Sequence, residues 1–298
     1  MSASVQGTSS VLASRVRSAF PDLEFAAAEL IEAGEDHLVL VLDGRLVFRF
    51  PRHAGHPTGL ARERAVLGAL KGRCDLAIPD YRYVAPTGDF AGYPLIVGDE
   101  LTPDRFAALK ASAQETALEQ IAGFLTAMHS LDLAAVAAGD DARGWPRDGT
   151  PADYAADGRA RRLPPIRAAF PGLAGDIEAF YDRLAARAPG PTRLIHSDLT
   201  ADHILLAPAG DRLAGVIDFG DTELGDPAQD FAHLWSYGEA AFSHVWSGYG
   251  RRDIDPGLPE RSRWNFASYS ISRLAEALDE GEDASAPAAA LPAILAAL

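Results

Sequence analysis

The run from Leu194 to Asp221 constrains this chain more than any other segment. It reads L-I-H-S-D-L-T-A-D-H-I-L-L, continues through a Gly210-Asp211 turn, and closes on L-A-G-V-I-D-F-G-D. Two apolar runs, Ile204 to Leu206 and Leu213 to Ile217, flank the turn and predict a short hairpin. A polar loop bearing His196, Asp198 and His203 precedes the hairpin, and Asp218 follows it. A loop and hairpin of this kind return Asp218 to the neighbourhood of Asp198. Any fold that accepts the segment must therefore gather two carboxylates and an imidazole in one place.

That grouping has the chemistry of phosphoryl transfer. A carboxylate is needed to orient or deprotonate the attacking hydroxyl, and metal ligands are needed to hold the nucleotide phosphates. Asp198 is the candidate catalytic carboxylate. Asp218 is the candidate Mg²⁺ ligand, because a hard cation prefers carboxylate oxygen. His203 stands where such sites usually have Asn; a neutral imidazole ligates metal but is an unusual choice for Mg²⁺. His196 is read as structural support, fixing the loop through backbone hydrogen bonds.

The flanking sequence supplies the frame. Phe25 to Ile31, His37 to Leu42 and Arg45 to Phe50 predict three strands, the last two joined by an Asp43-Gly44 hairpin turn. Gly59 to Leu70 predicts a helix, and Tyr93 to Val97 a further buried strand. Beyond Gly98 the texture turns helical: Glu115 to Leu131, Ala174 to Arg187, Pro227 to Val245 and Arg261 to Leu278 carry apolar residues at helical spacing. Ala284 to Leu298 predicts a short terminal helix or a loose tail. The expectation is an α+β fold, with an antiparallel sheet in residues 1–97 and a mainly helical part in residues 98–298, hinged at Gly98.

At this level of detail the chain resembles the aminoglycoside phosphotransferase family, and within it the 2″-phosphotransferases. The resemblance rests on H-S-D-L-T-A-D-H-I-L, His196 to Leu205, with histidine in the asparagine place, and on I-D-F-G-D-T-E-L-G-D-P-A-Q-D-F, Ile217 to Phe231. It implies a protein-kinase-like bilobal fold over nearly the whole chain. F-R-F-P-R, Phe48 to Arg52, is similar to the family's third-strand motif, which makes Arg49 the residue that meets the nucleotide phosphates. Many members carry Lys there, so Arg49 is a departure from the pattern; guanidinium is still well suited to phosphate oxygens. Glu63, in A-R-E-R-A-V-L, falls where the family's helix supplies the partner carboxylate. The stretch Gly92 to Thr102 looks like the interlobe hinge, with the backbone of Pro94 and Ile96 facing the base. Tyr93 falls at the base-pocket entrance, where a bulky tyrosine favours guanine, so GTP is the expected donor and ATP the alternative. Asp221 lies near the phosphoryl site in the motif, Glu239 and Trp264 fall where the 2″ group contacts its substrate, and all three are candidate substrate-binding residues. Asp230 is read as a buried carboxylate that braces the catalytic loop. The segment Arg273 to Glu282 departs from the pattern of close 2″ enzymes.

Composition narrows the partners. The formal charge is −15, a field that repels nucleic acid and suits a cationic small molecule. No stretch approaches the roughly 18 apolar residues that a membrane span requires. Met1 to Ser10 lacks the basic and apolar regions of a secretory signal, and Cys74 is the single cysteine, so a cytoplasmic protein is expected; a monomer is expected too. No glycine-rich phosphate loop is visible, the first two strands being joined through Ala33-Gly34-Glu35-Asp36, and no A-P-E follows Asp218; both features weigh against a protein kinase. Two other readings stay open: the same fold acting on a macrolide or a small hydroxyl metabolite, and a non-catalytic nucleotide-binding pseudokinase.

Overall fold

The computed structural model describes residues 3–31, 37–52, 57–136 and 145–298. Its N-terminal part is a five-stranded antiparallel sheet in the order β1-β2-β3-β5-β4, formed by β1 (Ala28–Ile31), β2 (His37–Leu42), β3 (Leu46–Pro51), β4 (Tyr83–Val84) and β5 (Ala91–Pro94). The hairpin between β2 and β3 turns at Asp43 and Gly44, with φ of 49° and 61°. Both residues of such a turn need positive φ, which Gly supplies without strain and Asp tolerates. The Asp43 carboxylate also accepts hydrogen bonds from the backbone N–H groups of Ala26 and Ala27.

Strand alternation divides the sheet into two faces. Leu40, Leu42, Leu46, Phe48 and Phe50 point outward, where helix α1 (Ala3–Ala19) covers them with Leu12, Ala13 and Val16. The other face carries Val41, Val47 and Tyr93, and it also carries Arg49. Helix α1 was not expected from the small polar residues at the N-terminus. Its helical form is held by the apolar sheet face beneath it rather than by intrinsic propensity.

Helix α2 (Pro57–Leu70) follows the sheet's third strand. After it, Ala77 pairs in parallel with Gly215, its N–H donating to Ala214 and its carbonyl accepting from Val216. This segment ties the N-terminal part to the small sheet β6-β8-β9, made of β6 (Asp99–Glu100), β8 (Ile204–Leu206) and β9 (Leu213–Val216). A Cβ on Gly215 would stand 2.3 Å from the Ala77 carbonyl oxygen, so the close approach requires glycine. A second ribbon pairs β7 (Arg193–Ile195) with β10 (Glu223–Gly225).

The C-terminal part is helical: α3 (Pro103–Ala108), α4 (Ala111–His129), α5 (Leu133–Val136), α6 (Pro151–Asp157), α7 (Leu163–Ala169), α8 (Ala174–Ala185), α9 (Glu239–Gly248), α10 (Leu258–Glu280) and α11 (Ser285–Ala296). The helix expected over Pro227 to Val245 is broken into a 3₁₀ segment, Ala232–Tyr237, and α9, because Gly238 takes φ 98°. The strand expected over Tyr93 to Val97 instead ends at Pro94, which lacks the N–H to extend a ladder. One core gathers α2, α4, α9 and the hairpin; a second joins α7, α8, α10 and α11. Among the described residues no helix is long and apolar enough to cross a membrane.

Candidate active site

Where the two parts meet, Arg49 projects from β3 and is almost wholly buried. Its Nη1 donates to Glu63 Oε1 at 3.1 Å, and its Nη2 donates to Asp218 Oδ1 at 2.6 Å and to His37 Nδ1 at 3.1 Å. Tyr81 donates to the same Glu63 oxygen at 3.0 Å. Burial pushes the Glu63 carboxyl up, and the guanidinium beside it opposes that shift. Burial alone would disfavour charge on Arg49, but Glu63 and Asp218 outweigh it and hold the guanidinium protonated. For Asp218, burial acts to raise the carboxyl, yet Arg49 prevails and leaves it below the usual range.

Two loop residues take left-handed backbone without being glycine: Ser197 at φ 74° and Asp218 at φ 62°. Each costs on the order of 1–3 kcal/mol; Ser197 directly precedes Asp198, and Asp218 is itself a carboxylate of the site. At Ser197 the backbone is held by Asp230, whose two oxygens accept from the N–H groups of His196 and Ser197 at 2.8 and 2.9 Å. His129 Nε2 donates to Asp230 at 3.0 Å, and the Tyr249 hydroxyl bonds His129 Nδ1 at 2.9 Å. His196 is fully buried and donates from Nε2 to the Ile217 carbonyl at 3.0 Å, joining the loop to the hairpin's end. Burial drives its imidazole toward the neutral form.

Between the two carboxylates lies His203. Its Nδ1 is 2.7 Å from the Asp198 carbonyl oxygen and 3.4 Å from Asp198 Oδ2, and its Nε2 is 3.9 Å from Asp218 Oδ2. A carbonyl only accepts, so Nδ1 bears the proton and Nε2 turns a lone pair toward Asp218. Imidazole nitrogen and carboxylate oxygen are thus spaced within the roughly 4.2 Å that two ligands at about 2.1 Å span across one Mg²⁺. The donor set fits a divalent cation held by two protein ligands, with phosphate and water oxygens for the rest. Among the described residues there is no cluster of three or more His, Cys, Asp or Glu shaped to hold a metal.

Asp198 is 42% exposed at its side chain and stands in the wall of a cavity of about 460 Å³. Asp148, Asp226 and Glu276 share that wall with Tyr154 and Tyr269. Asp148 arrives through a parallel bridge: its N–H donates to Leu224, and Leu224 donates back to Pro146. Burial pushes the Asp148 carboxyl up. His233 also faces the cavity, where burial depresses its imidazole to about 4 and keeps it neutral. Arg261 grips both oxygens of Asp226, at 2.6 and 3.0 Å, and Arg273 pairs with Oε2 of Glu276 at 3.0 Å, which leaves Asp148, Asp198 and the second oxygen of Glu276 on the cavity wall.

Three residues expected at the substrate do not line this cavity. Trp264 is 5% exposed, stacked on Phe180 with ring centroids 5.4 Å apart, and covered by the guanidinium groups of Arg183 and Arg187. It belongs to the helical core, because α10 turns Trp264, Ala267, Ile271 and Leu274 inward together. The opposite stripe of the same helix, Asn265, Ser268, Tyr269, Ser272 and Glu276, forms the wall instead. Glu239 is 78% exposed on its side chain and pairs with Arg263 at 3.6 Å. Asp221 is exposed at the edge of the site. On the other side, Tyr93 is buried on the Arg49 face with its ring edge against Tyr81, 5.1 Å between centroids. Leu95 N–H donates to the Arg45 carbonyl, which makes Leu46 and Pro94 a non-bonded ladder pair and turns the Pro94 carbonyl away from β3. Ile96 packs by Gly215. The connection Ala33 to Asp36 lies outside the described residues.

An antiparallel sheet over a helical body, with acid, imidazole and guanidinium meeting between them, defines a protein-kinase-like phosphotransferase. Residues 27–265 match the model of the APH phosphotransferase enzyme family, and the chain belongs to that family as a small-molecule O-phosphotransferase. Solved structures agree in fold. The GDP and kanamycin complex of APH(2")-IIia is 24% identical, at a TM-score of 0.75 over 96% of this chain and 98% of that one. The streptomycin-ATP-APH(2")-IIa ternary complex is 18% identical, at 0.63 over 89% and 90%. The macrolide 2'-phosphotransferase MphH from Brachybacterium faecium is 25% identical, at 0.61 over 99% and 97%.

Proposed function

We propose that the protein moves the γ-phosphoryl group of a nucleoside triphosphate, GTP in preference to ATP, to a hydroxyl of a cationic aminoglycoside, with 2″-type regiochemistry. The observation that carries this reading is His203 standing between Asp198 and Asp218. It joins a carboxylate in the wall of an acid-lined cavity to a carboxylate paired with the buried Arg49.

In this mechanism Asp198 accepts a hydrogen bond from the sugar hydroxyl, aligns it for in-line attack and receives its proton. Ser197 and Asp230 keep the loop fixed during the transfer. Arg49, oriented by Glu63, neutralises phosphate charge. Asp218 Oδ2 and His203 Nε2 would hold Mg²⁺, which supplies further neutralisation of the phosphates when bound. Ammonium groups of the acceptor suit Asp148 and Glu276, and the Tyr269 ring offers them a face. The backbone of Pro94 and Ile96 would meet the base, and the bulk of Tyr93 beside Val41 and Val47 supports the guanine preference. The similar structures support the reading at the level of class: they include aminoglycoside complexes and complexes with GDP, ATP and ADP.

A second reading, transfer to a macrolide, is favoured by whole-length similarity to two macrolide 2'-phosphotransferases. A macrolide has few amines, whereas three carboxylates face this cavity, and that weighs toward the aminoglycoside. Initial rates over a concentration series of GTP and ATP, against aminoglycosides and macrolides in parallel, test the proposal. The expected result is the higher kcat/KM with GTP and an aminoglycoside. A higher kcat/KM with ATP would overturn the donor, and macrolide turnover alone would overturn the acceptor.

A further inference from the structure

Strand β10 opens on Glu223, a half-buried carboxylate with no part in the mechanism above. In the ribbon it makes with β7, Glu223 lies opposite Ile195. That register brings it to the loop that leaves β7, and there its Oε1 accepts from the Ser197 hydroxyl at 2.7 Å. Burial pushes the Glu223 carboxyl up, the Ser197 hydroxyl opposes the rise, and Asp148 and Asp221 add to it.

Ser197 directly precedes Asp198, and its φ of 74° is a backbone that glycine takes freely and serine does not. Its hydroxyl gives the loop an anchor that glycine lacks. Buried Asp230 holds the Ser197 N–H at 2.9 Å, and Glu223 holds the side chain. The left-handed residue is thus fixed at two atoms by carboxylates from two different segments. Asp198 has a 42% exposed side chain, 3.4 Å from His203 Nδ1, so its direction depends on the backbone that Ser197 sets. The neighbouring residue on β10 serves the cavity wall as well: Leu224 donates to the Pro146 carbonyl and accepts from the Asp148 N–H. One three-residue strand therefore braces both Asp148 and the approach to Asp198.

We infer that Glu223 is a positioning residue for the transfer: by accepting from the Ser197 hydroxyl it fixes the left-handed turn that aims Asp198 at the acceptor hydroxyl. This rests on Asp198 being the carboxylate that activates that hydroxyl, as proposed above. Glu223 acts through a hydrogen bond and not through its charge, so an uncharged acceptor of the same reach serves in its place.

The competing role is direct contact with a cationic acceptor, for which the charge itself matters. Glu223→Gln keeps an oxygen at the same reach and loses the charge; Glu223→Ala loses both; Ser197→Ala removes the donor. For these three and for the double Ala variant, kcat and acceptor KM are measured with GTP and with ATP. Nucleotide affinity by calorimetry and amide exchange of His196, Ser197 and Thr200 are measured alongside, since neither needs an acceptor. Loss of one hydrogen bond to a charged group corresponds to a factor of about ten or more. The expected result is a kcat lowered by about that factor in Glu223→Ala and in Ser197→Ala, with faster exchange of the three amides and unchanged nucleotide affinity. The double variant should be no worse than either single one, and Glu223→Gln should stay near wild type. Wild-type kcat and exchange in Glu223→Ala, equal defects in Glu223→Gln and Glu223→Ala, losses that multiply in the double variant, or a defect confined to acceptor KM would each overturn the inference. A wild type that binds nucleotide but transfers to no acceptor removes the proposed function and leaves exchange to decide the role of Glu223. Exchange quickened in Glu223→Ala and not in Glu223→Gln then supports the positioning of the loop; exchange unchanged in both, or quickened in both, removes it.

Discussion

At the scale of single residues, the most consequential group is one that never meets the substrate. Asp230 is buried and accepts from His196, Ser197 and His129. Burial alone would raise its carboxyl, but the His129 bond and the loop N–H groups overcome this and hold it below the ordinary range. An unfolded Asp titrates near about 3.9, and the folded value is lower. The stability it contributes is therefore complete above about pH 5 and drains as pH falls through about 4 toward the folded value. Urea denaturation between about pH 3 and 6 should show this acid slope. Asp230→Asn should cost about 3–5 kcal/mol at neutral pH and flatten the slope; an unchanged slope would remove Asp230 from the account. A buried carboxylate at this position was expected from the motif. The cluster around Arg49 was legible only in part: Glu63 was expected, whereas His37 on Arg49 and Tyr81 on Glu63 were not. Nothing in the local pattern of either residue marks it, since both reach the cluster only through the packing of distant segments.

At the scale of elements, local signals were read well and non-local ones poorly. The Asp43-Gly44 turn and the hairpin around Gly210 follow from turn chemistry within a few residues. The parallel bridge from Ala77 to Gly215 spans well over a hundred residues and leaves no periodic trace. It also makes a prediction. Gly215→Ala brings a Cβ to 2.3 Å from the Ala77 carbonyl oxygen and 3.0 Å from Ile96 Cγ2, so the joint must shift. The expected cost is about 1–3 kcal/mol, read as a lower urea midpoint, together with a raised KM for the nucleotide because Ile96 belongs to the same joint. A variant as stable as wild type would show that the bridge carries no load. Helix α10 gives the converse lesson. Its inward stripe contains Trp264 and its cavity stripe contains Tyr269 and Glu276. Helical spacing alone separates these stripes.

At the scale of the whole molecule, the chemistry is concentrated and the recognition is dispersed. Asp198, His203 and Asp218 come from a single run of sequence, so the phosphotransferase reading was available before any fold. The cavity draws Asp148 from the segment before α6 and Glu276 from the far end of α10, with Asp198 between them. Only the packing of α6, α8 and α10 around the catalytic loop creates it. The charge of −15 is compatible with a polycationic acceptor, but the three carboxylates facing the cavity give that compatibility a location. The measurement closest to the centre of the account is mass-spectrometric detection of phosphorylated aminoglycoside, made with wild type and Asp198→Asn at matched GTP occupancy. A single phosphoryl added by wild type, with kcat lowered about 10²–10⁴-fold in the variant and GTP affinity retained, is the predicted result. Unimpaired transfer by Asp198→Asn would contradict it.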